Sequence, residues 1–291
     1  MTNVLIVGCR GMLAHTVADV LGRRGIVAAG VDLHDCDITC ADQVKATFDR
    51  IQPTLVFNCA AFTRVDACED EEARAAAING DAVGHLARAA LATGARFIHI
   101  STDFVFDGES KRPYKPDDTP RPVCAYGRTK LLGETLLQEV NPPGWAILRT
   151  AWLYGPRGAS FPRTMVERGR AHLPLRVVDD QWGCPTYTQD LAEVMVDIGL
   201  GKSAGIFHAT NSQPTNWYDF AVETLRQFGI QGDLTPTTTA EYLRARPKQA
   251  VRPMYSVLDC SGLEKAIGRP MRAWPLALAD FARVVSTAGG F

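Results

Sequence analysis

Residues 4–8, VLIVG, form an unbroken apolar run that stops at glycine, and a helical period follows at once with Leu13, Val17, Val20 and Leu21. A strand that is apolar on both faces must be covered on both, which is the condition of a parallel sheet flanked by helices. The pattern then repeats. Residues 25–32, 54–61, 96–102 and 144–150 read as further buried strands, and helical patterns at 41–51, 69–93 and 126–140 separate them. Strands alternating with helices imply βαβ units with right-handed crossovers and an α/β, Rossmann-like doubly wound parallel sheet.

Residues 1–150 are therefore expected to form a dinucleotide-binding domain. Residues 151–291 are expected to be mainly a smaller carboxy-terminal substrate-binding lobe, with segments returning to the sheet. In that second part, residues 161–172, 188–200 and 216–228 have helical patterns, with Thr188 and Thr215 as the expected caps of the last two. Residues 205–210 read as a strand, and 244–254, with Pro247 and Pro253, as a loop.

Composition narrows the function classes. The chain has 291 residues, 46% hydrophobic and 22% charged, with a formal net charge of −1. That balance gives no electrostatic case for nucleic acid or an anionic membrane surface. Its eight cysteines contain no CxxC pair, which suits neither a zinc site nor a disulfide framework; Cys9, Cys59 and Cys184 read as small hydrophobes. Reduced thiols, no room for a signal peptide before the first strand and no membrane-length apolar run predict a cytoplasmic protein.

The junction VGCRGMLAH places Gly8 and Gly11 between the first strand and first helix, spaced GxxGxxA with Ala14 third. Glycines there let the backbone turn tightly and approach a pyrophosphate, which sits on the helix N-terminus where N–H groups and the dipole favour anions. Asp32 ends the second strand, 21 positions after Gly11, close to the spacing of about 20 for an acid that binds a ribose hydroxyl. The cofactor expected is NADH or NADPH, with NADH favoured by Asp32. Arg10 and His34 are the side chains able to meet a 2′-phosphate.

Ser101 and Thr102 emerge at the carboxyl end of the fourth strand, where doubly wound sheets bind ligands. Tyr126 and Lys130 are four residues apart at the start of the next helix, a rotation of about 400°, so they share a face. A free tyrosine is a poor acid at neutral pH, and an adjacent ammonium is expected to lower its pKa and make the phenol a usable donor. A hydroxyl of Thr102 or Ser101 can bind a substrate oxygen as it gains charge. Together these parts describe hydride transfer to a carbonyl.

With these residues in view, the chain resembles the extended short-chain dehydrogenase/reductases, and within them the dTDP-4-dehydrorhamnose reductase family. The resemblance covers nearly the whole chain and rests on GxxGML (8–13), CDIT (36–39), NCAAFTRVDACE (58–69), STDFVFDG (101–108), AYGRTKLLGE (125–134), RTAWLYG (149–155), DQWGCPT (180–186) and RPMYSVLD (252–259). It implies a catalytic trio of Thr102, Tyr126 and Lys130. Cofactor contacts would fall on Arg10, Gly11, Met12, Leu13, Asp32, Asp37, Ile38, Ala61, Phe62 and Thr63, and on Tyr126 and Lys130 themselves.

Sugar contacts would come from Val65, Asp103, Phe104 and Trp152 beside Thr102 and Tyr126. Trp152, Phe104 and Phe106 are candidates for an apolar face; Arg157, Arg163 and above all Arg252 are candidates for the diphosphate. Phe104 stands where tyrosine is frequent. His15 stands where an acid would help hold a dimer-bridging magnesium ion, so no metal site is expected. The implied reaction is reduction of dTDP-4-dehydrorhamnose to dTDP-L-rhamnose, in a possible homodimer.

Two alternatives differ in kind. One is another nucleotide-sugar 4-ketoreductase of deoxysugar biosynthesis. The other is a non-catalytic dinucleotide-binding regulatory subunit, against which the intact trio argues. An epimerase or dehydratase is disfavoured because no Glu or Lys accompanies Thr102. Among smaller signals, Asn79 and Gly80 weaken a long helical pattern and Asn79 is a candidate organiser of the backbone near the cofactor. His99 and His208 read as satisfied core residues, and Glu134 and Glu139 as solvated helix positions.

Overall fold

The computed structural model describes residues 3–244 and 249–290; Pro247 of the expected loop lies outside them. Six parallel strands form the central sheet: β1 (Val4–Val7), β2 (Ala28–Val31), β3 (Leu55–Asn58), β4 (Arg96–Thr102), β5 (Ala146–Thr150) and β6 (Gly205–His208). Their spatial order is β6-β5-β4-β3-β1-β2, so the winding direction reverses between β1 and β3. Ligands bind outside the carboxyl ends of the strands at such a reversal.

Successive strand residues point to opposite faces, and both faces are covered. Val4, Ile6, Leu55, Phe57, Ile98 and Leu148 pack with helices α1 (Met12–Arg23), Thr188–Leu200 and Ser261–Ile267. Leu5, Val7, Val56, Phe97 and Ile147 pack on the other face with α2 (Ala41–Ile51) and two later helices. Each large apolar side chain so buried contributes about 1.5–3 kcal/mol relative to exposure, which is why these runs read as strands.

The expected single helix over 69–93 is broken. It is α3 (Val65–Asp70), α4 (Glu72–Ala76), a π-helical turn (Ala77–Asp81) and α5 (Ala82–Thr93). The π turn coincides with Asn79 and Gly80. A Cβ on Gly80 would lie 2.5 Å from the Leu132 side chain, and one on Gly133 would lie 2.2 Å from the Asn79 carbonyl oxygen. Both residues sit where α6 (Ala125–Val140) crosses the π turn. The wider turn and the two glycines together let the two backbones come close.

Beyond β5 the chain forms α7 (Phe161–Arg170), α8 (Thr188–Leu200), α9 (Trp217–Gln227), α10 (Thr239–Arg244), α11 (Ser261–Ile267) and α12 (Trp274–Thr287), with three short two-stranded ladders. An aromatic cluster including Tyr154, Tyr187, Phe220, Trp274 and Phe281 holds this region together. Neither expected threonine cap is used. Thr188 is the first residue of α8, and its hydroxyl has no hydrogen-bond partner among the described residues and lies against Gly155. Asn216, not Thr215, caps α9 by accepting from the Asp219 N–H at 2.7 Å.

Candidate active site

The first turn of the sheet forms one wall of a groove of about 640 Å³, lined by Gly8, Arg10, Gly11, Asp32, Asp37, Ile38 and Ala61 among others. Gly8 adopts φ 75°, and a Cβ there would stand 2.8 Å from the Ala60 backbone. Only glycine lets the two loops approach this closely. Gly11 donates to the Gly8 carbonyl at 2.9 Å and is the N-cap of α1. The orphan N–H groups of the first turn of α1 therefore open beside the groove, a favourable place for an anion.

Met12 and Leu13 belong to that first turn. The Leu13 side chain is buried in the core, so its polar contribution to the groove is its backbone N–H. Asp32 accepts from the Arg10 N–H at 3.0 Å and the Leu33 N–H at 2.9 Å, fixing the loop across the groove. Asp37 accepts from the Thr39 N–H and hydroxyl. The sequence reading missed other lining residues: Leu33, Cys36, Thr39, Cys59, Ala60, Arg74, Ala77 and Ile78. Five of these lie within or beside segments already singled out. Arg74, Ala77 and Ile78 belong to the helix interrupted at Asn79, which was the available signal.

Asn79 is fully buried and clamps the next loop: its Oδ1 accepts from the Phe62 N–H at 2.8 Å and its Nδ2 donates to the Phe62 carbonyl at 3.1 Å. It also donates to the Thr129 hydroxyl on α6. The guanidinium groups of Arg64 and Arg74 both lie over the Phe62 ring, 5.1 and 5.3 Å from its centroid. Thr63 is exposed beside it.

Thr102 ends β4 and caps the 3-10 turn Asp103–Val105, its hydroxyl accepting from the Phe104 N–H at 3.2 Å and donating to Asp103 Oδ1 at 3.0 Å. Ser101 is also buried, with its hydroxyl unpartnered among the described residues. A Cβ on Gly127 would fall 2.1 Å from the Phe104 carbonyl oxygen. The absence of that carbon brings the start of α6 onto the turn and sets the Tyr126 ring edge-on to Phe104 at 5.5 Å.

The electrostatics correct one expectation. The Tyr126 phenol is pushed well above its ordinary value, first by burial and then by the Asp103 carboxylate, with a Thr102 hydrogen bond acting the other way. The net lowering expected does not occur, because burial outweighs it. Lys130 is 2% exposed, and its nitrogen donates to the Ile100 carbonyl at 2.6 Å and meets His99 Nε2 at 3.3 Å. Burial lowers the Lys130 amine to about 8, against the opposing pull of Glu134 and Cys59. Burial likewise raises Asp103 to about 6, while hydroxyls of Ser256 and Thr102 pull it back.

His99 is buried and bonded on both ring nitrogens, to Asn58 and Lys130, so it joins the site where the sequence reading left it in the core. His208 bonds the Tyr114 carbonyl through Nδ1, but its Nε2 has no partner among the described residues. Glu134 is not solvated: it is fully buried and forms a two-pronged ion pair with Arg149 of β5, at 2.7 and 3.0 Å. Glu139 is exposed. Phe106 is fully buried, stacked on Tyr114 and under Arg149, so it forms core and not a ligand face.

Of the remaining candidates, Arg252 lines a second hollow of about 340 Å³ between α7, α9 and α10, with Phe161, Met165, Val177, Gln181 and Trp217 among others. Arg252 faces Asp66 at 3.3 Å, next to Val65 at the start of α3. Trp152 has φ 47°, uncommon for a bulky residue, and stacks on Trp217 at 3.7 Å. Arg157 is exposed, and Arg163 pairs with Glu167 at 2.8 Å.

Four similarities to known proteins bear on this arrangement. The family model described as the RmlD substrate binding domain matches residues 1–286. A dTDP-4-dehydrorhamnose reductase of Streptomyces griseus is 41% identical over 95% of this chain and 91% of its own. The crystal structure of a dTDP-4-dehydrorhamnose reductase of Clostridium acetobutylicum superposes with a TM-score of 0.93 at 40% identity, covering 98% of this chain and 100% of that one. A further such reductase, from Bacillus anthracis and in complex with NADP, has a TM-score of 0.91 at 31% identity over 97% of this chain and 99% of that one. A match from end to end, on a sheet whose reversal carries the glycine turn and whose fourth strand meets a Tyr-Lys helix, makes this chain a member of the dTDP-4-dehydrorhamnose reductase family of extended short-chain dehydrogenase/reductases.

Proposed function

We propose that this protein reduces the 4-keto group of a dTDP-4-dehydro-6-deoxyhexose, converting dTDP-4-dehydrorhamnose to dTDP-L-rhamnose. The observation that carries this reading is the contact of the Tyr126 phenol with the Thr102 hydroxyl at the carboxyl end of β4, with Lys130 of the same helix docked on the Ile100 carbonyl of that strand. A bound nicotinamide dinucleotide supplies hydride. The groove supports such a cofactor: Gly8 leaves a cradle that a Cβ would fill, and α1 opens its N-terminus there. Asp32 and Asp35 together at the end of β2 favour NADH, while Arg10 and Arg74 are the cations in reach of NADPH.

The chain's own residues supply the proton chemistry. A phenol held above its ordinary value keeps its proton at neutral pH. The substrate oxygen becomes an alkoxide, a far stronger base than a phenolate, so Tyr126 donates to it without prior acidification. Thr102 orients that oxygen, and Lys130, its amine lowered to about 8 by burial, stands one turn along the helix. We assign the region after Thr150 to the sugar nucleotide, with Trp152, Trp217 and Phe161 offering apolar surface and Arg252 a cation.

The test is turnover of purified protein with dTDP-4-dehydrorhamnose and NADH, followed by loss of the reduced-nicotinamide absorbance. Tyr126→Phe is expected to lower kcat by about 10²–10⁴ with dinucleotide affinity intact. Unchanged turnover refutes the proton donor; turnover only with a different dTDP-4-keto sugar refutes the substrate.

A further inference from the structure

We propose that Asn58 and His99 form a buried chain, anchored on the Ala60 amide, that holds the His99 ring as its Nε2–H tautomer with that N–H aimed at Lys130. His99 is then a positioning residue that governs whether Lys130 carries a proton. The chain is read from hydrogen bonding alone; its consequence for turnover rests on the reductase reading above.

The argument starts at a backbone group that can only donate. The Ala60 N–H meets Asn58 Oδ1 at 3.1 Å. The other end of the same amide, Nδ2, also only donates, and it faces His99 Nδ1 at 3.1 Å. Turning the amide over would set two donors against each other at Ala60. Nδ1 is therefore the bare, accepting nitrogen, and a neutral imidazole must carry its proton on Nε2. An imidazolium would again oppose two donors, and the ring is fully buried; burial and the neighbouring Lys130 both disfavour its charged form.

Nε2 is 3.3 Å from the Lys130 nitrogen, which already donates to the Ile100 carbonyl at 2.6 Å. A neutral amine has a lone pair to accept the Nε2–H, whereas an ammonium presents only donors. The chain thus favours the uncharged amine in the same direction as its burial. The groups that oppose it are Glu134, itself bound to Arg149, and the Cys59 thiol. On the Tyr126 side of α6, the Asp103 carboxylate acts on the phenol and Glu69 accepts from the Ala125 N–H at 2.8 Å. The Phe97 ring, stacked parallel to His99 at 6.4 Å, carries no charge. The anchor is part of the groove wall, because Ala60 lines the groove and touches Gly8. A dinucleotide seated there would rest against the residue from which the Lys130 charge is set.

The experiment uses the full chain without ligand, labelled with ¹⁵N-histidine and ¹³Cε-lysine, with His99 and Lys130 signals assigned from His99→Phe and Lys130→Met. The wild-type His99 ring is expected to show a bare Nδ1 and a protonated Nε2 throughout the neutral range. Asn58→Asp presents a carboxylate that accepts from both Ala60 and Nδ1, so it is expected to move the proton to Nδ1. The freed Nε2 then accepts from the ammonium, and the Lys130 midpoint is expected to rise by about one pH unit or more, a tenfold gain in proton affinity. The corresponding limb of the kcat pH profile is expected to move the same way.

A wild-type ring protonated on Nδ1, a neutral-pH imidazolium, or an unmoved Lys130 midpoint in folded Asn58→Asp overturns the proposal. If that variant does not fold, the wild-type tautomer decides. Absence of turnover with an Nε2–H tautomer refutes the reductase reading and leaves the chain standing, while turnover with an Nδ1–H tautomer does the reverse.

Discussion

Replacing Lys130 by methionine tests whether the amine is held away from its ordinary charge. Lys130 titrates at about 8 in the folded protein against 10.5 as a free side chain. A gap of about 2.5 units at 1.36 kcal/mol each is about 3 kcal/mol of burial penalty on the ammonium. Because the folded pKa is lower, the unfolded chain binds more protons between these two values. Wild-type stability therefore rises with pH across that window, and below it the full penalty is present. Lys130→Met carries no such penalty and has no such slope.

The variant also loses the hydrogen bond to the Ile100 carbonyl, a cost of about 1–3 kcal/mol that does not depend on pH. The quantity to measure is thus the difference between the two proteins. Urea unfolding at steps from neutral pH to above pH 10, under reducing conditions because the cysteines are free, gives that difference directly. Other groups titrating in the window are common to both proteins and cancel to first order; Cys59, the coupled thiol, is pushed up to about 12 and stays outside it. The wild-type stability relative to the variant is expected to gain about 3 kcal/mol across the window. A flat difference would show that Lys130 is an ordinary ammonium, and a falling one that its charge is stabilised by the fold.

Asp32→Ala is expected to weaken NADH binding more than NADPH binding, as read by fluorescence titration of each; equal losses would show that Asp32 serves only the Arg10 and Leu33 amides. Glu134→Gln leaves the buried Arg149 guanidinium without its carboxylate, and is expected to cost about 3–5 kcal/mol in chemical unfolding. A loss typical of an exposed pair, about 0–1 kcal/mol, would contradict the burial of that ion pair.

The sheet was legible because its signal is local: a run such as residues 4–8 is apolar at every position, and only a strand covered on both faces uses that pattern. Asp32 and the glycine turn were legible for the same reason, since their spacing along the chain is the spacing of one βα unit. Glu134 was misread because its partner, Arg149, comes from β5 and no helical pattern contains it. The direction of the Tyr126 shift was misread because four-residue spacing puts two side chains on one face but says nothing about how deep that face lies. The caps of α8 and α9 slipped by one residue, the common uncertainty at helix ends.

A tyrosine and a lysine one turn apart occur on many exposed helices, so the pair alone does not make a catalytic site. Here the discriminating residues are small. Gly127 lets α6 touch the turn after β4, and Gly133 lets it cross the π turn, each at a distance no Cβ would allow. The first contact brings Tyr126 to Thr102; the second lays the helix against the segment whose Asn79 holds the Phe62 loop. With α6 docked at both points, the Lys130 side chain runs inward to β4, where His99 and the Ile100 carbonyl meet its nitrogen. The chemistry of the pair thus follows from backbone approach at two glycines between and beyond it, and a larger side chain at either would move both functional groups together.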